Sequence, residues 1–199
     1  MTKGQNMNHI KKGQTMFVEP IRKREDIEAI KELLKDKPRD LLLFTLGINN
    51  GLRCGDLLKL QVKDIAHLKV GENTRIKEGK TQKQNYLMMN NASYEAMHRY
   101  LTSLNPQDND YLFASKKTGK PITIQRVNAL VKEWCRKIGL KGNFGAHTLR
   151  KTWGYHMRMT YGKGFELIAM RFKHSNPTVT MRYLGIEAEE VDQMLLNEV

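Results

Sequence analysis

The apolar residues of this chain recur with two different periods, and the switch between them limits what it can fold into. Ile27, Ile30, Leu33 and Leu34 fall at helical spacing, as do Leu41, Leu42, Thr45 and Leu46 once Pro38 has restarted the chain. Asn49-Asn50-Gly51 reads as a helix stop, and a short helix is expected over 54–61. From 62 to 89 β-branched and aromatic residues alternate instead, broken by Gly71-Glu72-Asn73 and by Gly79; this predicts a small antiparallel sheet with a Lys-rich turn at 78–84. Helical spacing then returns, with segments expected at 93–104, 123–138, 147–160, 165–172 and 177–183, the last capped by Asn176 and begun by Pro177. The class is therefore mainly α with one small antiparallel β-sheet (α+β), and 199 residues suffice for one core.

Charge narrows the partners. With 34 Lys and Arg against 21 Asp and Glu the net charge is +13, which points to a polyanion. Nucleic acid is favoured over membrane, because no apolar run approaches the roughly 18 residues needed to cross a bilayer. Cys54 and Cys135 are too few for a disulfide framework and belong to no CxxC or Cys/His cluster, so reduced thiols and no structural metal are expected. These features fit a cytoplasmic, nucleoid-associated protein. Residues 1–24 carry six basic residues against Glu19 alone and read as a flexible basic arm; 25–185 read as one folded domain. Residues 186–199 reverse the sign, with five acids and no Lys or Arg, and read as an acidic helix.

Several residues could do phosphate chemistry, although each is weak alone. His147 and Arg150, three apart on a helix, share a face and could present an imidazole and a guanidinium to one phosphate; a surface pair flanking buried Leu149 would look the same. Arg53 follows the helix stop, with Asp56 at i+3 able to orient its fork. Lys80 lies at the tip of the expected hairpin, where an ammonium reaching over a bound backbone could protonate a leaving oxygen. His174 and Tyr183 stand nine apart across a helix start, and Tyr183 alone reads as a half-buried aromatic.

Taken in order, these elements read Gly51-Leu52-Arg53 with Asp56, Lys80, His147-Thr148-Leu149-Arg150, and His174-Ser175 with Thr180 and Tyr183. In that order and at those intervals they resemble the tyrosine recombinases, or phage integrase family, over about residues 24–186. The resemblance implies that family's catalytic-domain fold. It further implies a site-specific DNA recombinase or integrase that cuts and rejoins strands through a 3′-phosphotyrosine on Tyr183, with no cofactor, metal or ATP. Arg53, Lys80, His147, Arg150, His174 and Tyr183 would be the catalytic set, with Asp56 behind Arg53. The expected partners are double-stranded DNA and further protomers, a tetramer on paired sites with the state off DNA left open, monomer included; the acidic helix either docks on a neighbouring protomer or folds back on its own domain. The chain departs from the pattern at Phe172-Lys173, where Leu-Gly is common, and at Gly185, where a His is frequent. Where most of the family carry a separate helical DNA-binding domain before the catalytic one, only the basic arm stands here, in which respect the chain resembles either the short invertases of fimbrial promoter DNA or a catalytic fragment of a longer recombinase. Two competing readings are a type IB topoisomerase, with similar Arg, Lys, His and Tyr chemistry, and a DNA-binding module without activity.

Overall fold

α2 (Pro38–Asn50) is the helix around which the others are arranged: Leu42, Leu43, Phe44 and Leu46 on it are fully buried. In this computed structural model, which describes residues 17–185 and residues 192, 195, 196 and 198, α2 packs against α5 (Asn91–Leu104) and α7 (Ala146–Met159). Contact with α7 is close because Gly47 faces it; a Cβ there would come within 2.7 Å of a Leu149 methyl. α1 (Arg24–Leu33) covers α2 and α6 (Ile124–Lys137) with Ile27 and Ile30, and Trp134 of α6 meets Phe44 edge-on at 6.0 Å.

Pro38 opens α2 at its first turn, and Gly51 closes it in the left-handed region (φ 57°), as the sequence leads one to expect. The segment expected as a helix over 54–61 is shorter: α3 (Cys54–Leu57) unwinds into i→i+3 turns at Lys59 and Leu60. The sheet is also shorter than the alternation over 62–89 suggests. Val62 and Ile65 lie on one buried face of a helical turn, α4 (Val62–Ile65), started by the Asp64 carboxylate accepting from the Gln61 N–H at 2.8 Å. Only β1 (Asn73–Lys77) and β2 (Gln84–Met88) pair, antiparallel, with Asn73 opposite Met88 and Lys77 opposite Gln84.

α8 (Phe165–Phe172) and α9 (Pro177–Leu184) build a second, smaller core from Tyr155, Phe165, Ile168, Phe172 and Leu184. Asn176 caps α9 by accepting from the Val179 N–H at 3.1 Å.

Residues 17–23, assigned by composition to the flexible arm, are fixed where described. Ile21 is buried, its N–H donates to Thr152 Oγ1 at 2.9 Å, and its carbonyl oxygen lies 3.0 Å from His156 Nε2. An apolar anchor and two backbone bonds to α7 outweigh the basic flanks. The rest of the expected arm, 1–16, lies outside the described residues. So does the acidic helix expected at 186–199, apart from Asp192, Leu195, Leu196 and Glu198, which are exposed. Both cysteines are buried and free, and burial pushes each thiol up to about 12. No helix among the described residues is long and apolar enough to cross a membrane.

Candidate active site

The site is built around Arg150, in the second turn of α7. It is buried and donates from Nη1 to the Gly51 carbonyl oxygen at 2.6 Å and from Nη2 to that of Phe172 at 2.7 Å, with its guanidinium 4.2 Å above the Phe172 ring. One side chain thus ties the end of α2 to the end of α8. Burial lowers its pKa to about 10, against the pull of Tyr183 and with a further push from Arg53, so it stays charged at neutral pH.

Arg53 begins α3, but its partner is not the expected one. Asp56 Oδ1 accepts from the Gly79 N–H at 2.8 Å, and Arg53 Nη1 instead pairs with Glu78 Oε2. The expected Arg53–Asp56 pair does not form, because Arg53 is the N-cap of α3 with extended backbone, and the Asp56 carboxylate faces the hairpin instead. Glu78, which sequence reasoning missed, is fully buried and also accepts from Thr81 Oγ1 at 2.6 Å and Asn85 Nδ2 at 2.7 Å. Burial alone would raise its pKa, but the bonds from Thr81 and Asn85 and the Arg53 charge hold it below the ordinary carboxylate value. A single acid among Lys77, Lys80 and Lys83 was the available signal.

On the opposite side, His174 and Tyr183 meet edge to face at 5.3 Å, and Phe172 lies 5.2 Å from His174 and 5.5 Å from Tyr183. His174 Nδ1 is 2.9 Å from Thr180 Oγ1, one turn before Tyr183. Burial, then Arg150 and Arg53, lowers the His174 pKa to about 4, leaving it neutral at pH 7. Lys173, where the resembled family often has glycine, takes a left-handed backbone (φ 54°) to turn α8 toward His174.

The Tyr183 hydroxyl is buried and makes no geometrically sound hydrogen bond among the described residues, although Arg150 is near enough to act on it. Burial raises its pKa, opposed by Arg150 and Arg53. Beneath it is a second residue that sequence reasoning missed. Lys151, buried in α7, holds its ammonium 5.0 Å from the Tyr183 ring and 5.3 Å from that of Phe17. A lysine beside Arg150 in a chain this basic gives no sequence signal.

His147, at the start of α7, is exposed on one side. Burial of the other and then the charges of Arg150, Lys151, Arg53 and Lys80 lower its pKa, so it is neutral at pH 7. Lys80 is exposed on the loop between β1 and β2, near enough for its charge to reach His147. Arg53, His147, Arg150, His174 and Tyr183 are thus brought together, with Lys80 at the rim. No group of three or more His, Cys, Asp or Glu among the described residues could hold a metal ion.

Residues 22–190 match the model of the phage integrase family. The chain is 36% identical over 174 residues to the probable integrase/recombinase YoeC of Bacillus subtilis, covering 87% of this chain and 92% of that protein. It is 28% identical over 165 residues to a tyrosine recombinase of Pseudothermotoga lettingae, covering 83% of this chain but 56% of that protein, so it spans little more than half of that longer relative. The structure of the XerH site-specific recombinase bound to its palindromic difH substrate, in a post-cleavage complex, superposes with a TM-score of 0.71 at 21% identity, covering 90% of this chain and 53% of that one. The chain therefore belongs to the phage integrase family, the tyrosine-type site-specific DNA recombinases.

Proposed function

We propose that this chain cleaves and rejoins DNA strands by forming a 3′-phosphotyrosine at Tyr183. The observation that carries the reading is that Arg53, Arg150 and the neutral His174 surround a phenol whose hydroxyl has no sound hydrogen bond among the described residues, with neutral His147 beside the two arginines. Attack on a phosphodiester adds negative charge to the non-bridging oxygens, and Arg53 and Arg150 stabilise that charge selectively because it is greatest at the transition state. A Thr180 hydroxyl that donates to His174 Nδ1 leaves Nε2 as an N–H donor to the same oxygens.

Tyr183 Oη bonds to phosphorus as the bond to the 5′ oxygen breaks. His147, neutral at pH 7, accepts the phenolic proton, and Lys80 supplies one to the departing oxygen. The bond energy is kept in the phosphotyrosine, so the reverse step needs no ATP, and the cationic side chains supply the charge that a metal would otherwise bring. Residues 25–185 act as the catalytic domain, double-stranded DNA is the substrate, and the acidic segment 186–199 docks on a neighbouring protomer in a tetramer on paired sites. The known DNA complex of XerH supports DNA as the partner.

The test is to trap covalent complexes on nicked genomic fragments of the source organism and sequence the attached DNA. Wild-type protein should yield an adduct resistant to chelators and centred on one sequence; Tyr183→Phe should yield none while binding DNA within about twofold of wild type, since the phenol adds little to binding. An adduct in Tyr183→Phe, or an absolute need for magnesium, would overturn the reading. Relaxation of plasmids at low protein concentration without paired sites would favour the topoisomerase reading instead.

A further inference from the structure

We propose that Glu78 is a positioning residue that locks the Arg53 guanidinium to the loop bearing Lys80, so that the charge stabiliser and the proton donor are set by one carboxylate. The inference rests on the roles given to Arg53 and Lys80 above.

Glu78 has no exposed surface, so it touches no substrate and acts only through what it binds. Its two oxygens divide their work. Oε2 receives Arg53 Nη1 and, at 2.6 Å, the hydroxyl of Thr81, the residue after Lys80; Oε1 receives Asn85 Nδ2 at 2.7 Å, across the hairpin on β2. Asn85 Oδ1 in turn accepts from Arg171 Nη1 at 2.8 Å, and Arg171 donates to the Asn50 carbonyl oxygen at 2.8 and 2.6 Å, next to the turn that delivers Arg53. The Asp56 bond to the Gly79 N–H fixes the same loop from the other side. The chain of contacts is therefore closed, from the end of α2 through α8 and β2 to the loop and back to Arg53.

Only a carboxylate can accept from all three donors. A glutamine has one accepting oxygen, and its amide would face Arg53, Thr81 or Asn85 with an N–H of its own. A neutral surface turn could carry Lys80 equally well if reach were all that mattered. The buried acid, together with the long bridge from Asn50, makes sense when the ammonium must be placed accurately: displacing a reacting group by about 1 Å costs on the order of 10²-fold in rate.

The test compares Glu78→Gln and Thr81→Ala with wild type on the duplex recovered by trapping, and on the same duplex with sulfur at the 5′ bridging position, at saturating protein. Sulfur leaves as a stable anion without a proton, so it bypasses Lys80 and leaves the demand on Arg53. Thr81→Ala keeps the Arg53 pair and should lose roughly tenfold in attachment rate on ordinary DNA, with nearly full recovery on the sulfur substrate. Glu78→Gln should lose on the order of 10²-fold, recover only in part, and bind DNA within about threefold of wild type. If Glu78→Gln fails to fold, as melting would reveal, Thr81→Ala decides alone. Equal losses on both substrates in Thr81→Ala, or no loss in either folded variant, would overturn the inference. A wild-type protein that attaches to neither substrate would instead sink the functional reading beneath it.

Discussion

Around Arg53 the side chains are fixed by directional polar bonds, whereas around Tyr183 they are fixed by rings. Arg53, Glu78, Thr81, Asn85 and Arg171 form one hydrogen-bonded series. Phe172 and His174 each meet Tyr183 edge to face over the smaller core, with the Lys151 ammonium under the phenol ring. The difference follows from what each side must do. A charge stabiliser gains from being immobile, because it then needs no reorganisation when charge develops. A nucleophile held by strong hydrogen bonds would have to break them before attacking. Aromatic packing sets the direction of Tyr183 while its oxygen has no sound hydrogen bond among the described residues. Arg150 belongs to both sides, through the Gly51 and Phe172 carbonyl oxygens.

That division makes the two arginines unequal in a way that can be broken. Arg53→Lys and Arg150→Lys should each lower the rate of DNA attachment by two to three orders of magnitude, since an ammonium cannot replace a planar fork. Melting should separate them. Arg150→Lys loses the bracing of two buried carbonyls at about 1 to 3 kcal/mol each, while Arg53→Lys keeps a cation beside Glu78 and should melt near wild type. Equal melting losses would show that both sides are braced alike.

His147 gives the next largest effect, through pH. Its folded pKa lies below the ordinary 6.5, so it is neutral at pH 7 and able to accept the phenolic proton. Attachment should hold at pH 7 and fall only at pH below the ordinary imidazole value, approaching roughly tenfold per pH unit as the imidazole charges. His147→Gln should be slow throughout and lack that step. A rate that keeps rising above pH 7, unchanged by His147→Gln, would move the titration to another group.

On the aromatic side, Lys151→Met keeps length and removes charge. A cation over an aromatic face contributes about 0.5 to 2 kcal/mol, so attachment should slow by a few-fold to about 30-fold, with partial recovery in Lys151→Arg. No change would mean that packing alone aims Tyr183. The smallest effect is expected at Lys173, whose left-handed backbone costs about 1 kcal/mol in a residue with a Cβ. Lys173→Gly should gain somewhat less than that, because glycine loses more chain entropy on folding, and should raise the melting temperature by a few degrees at most.

The residues legible in the sequence were those whose partners are close along the chain or whose wording repeats a family pattern. Pro38, Gly51 and Asn176 act through local backbone geometry, and the expected helix boundaries near them are met within a residue or two. Arg53, His147, Arg150, His174 and Tyr183 were legible from order and interval. Glu78 was not, because its pairing with Arg53 crosses 25 positions from a hairpin loop to a helix start, a separation that no periodicity reports. Asp56 was expected to orient Arg53 but bonds Gly79 instead, since Arg53 is the N-cap of α3, with extended backbone, and its side chain does not share the helix face on which Asp56 lies. At 62–65 the β-branched residues suggested a strand, and burial of Val62 and Ile65 three apart favoured a turn of helix instead.

The way Arg150 is bonded bears on how such a chain could change over generations. Its acceptors are main-chain oxygens of residues 51 and 172, present whatever side chains stand there, so the arginine is needed by the fold independently of any substrate. The Tyr183 hydroxyl makes no sound hydrogen bond to any of the described residues. A descendant relieved of selection for strand exchange could replace the phenol with phenylalanine at little structural cost, but would lose soundness with the arginine. Silent members of the lineage should therefore be recognised at position 183, with position 150 preserved long after the chemistry has gone.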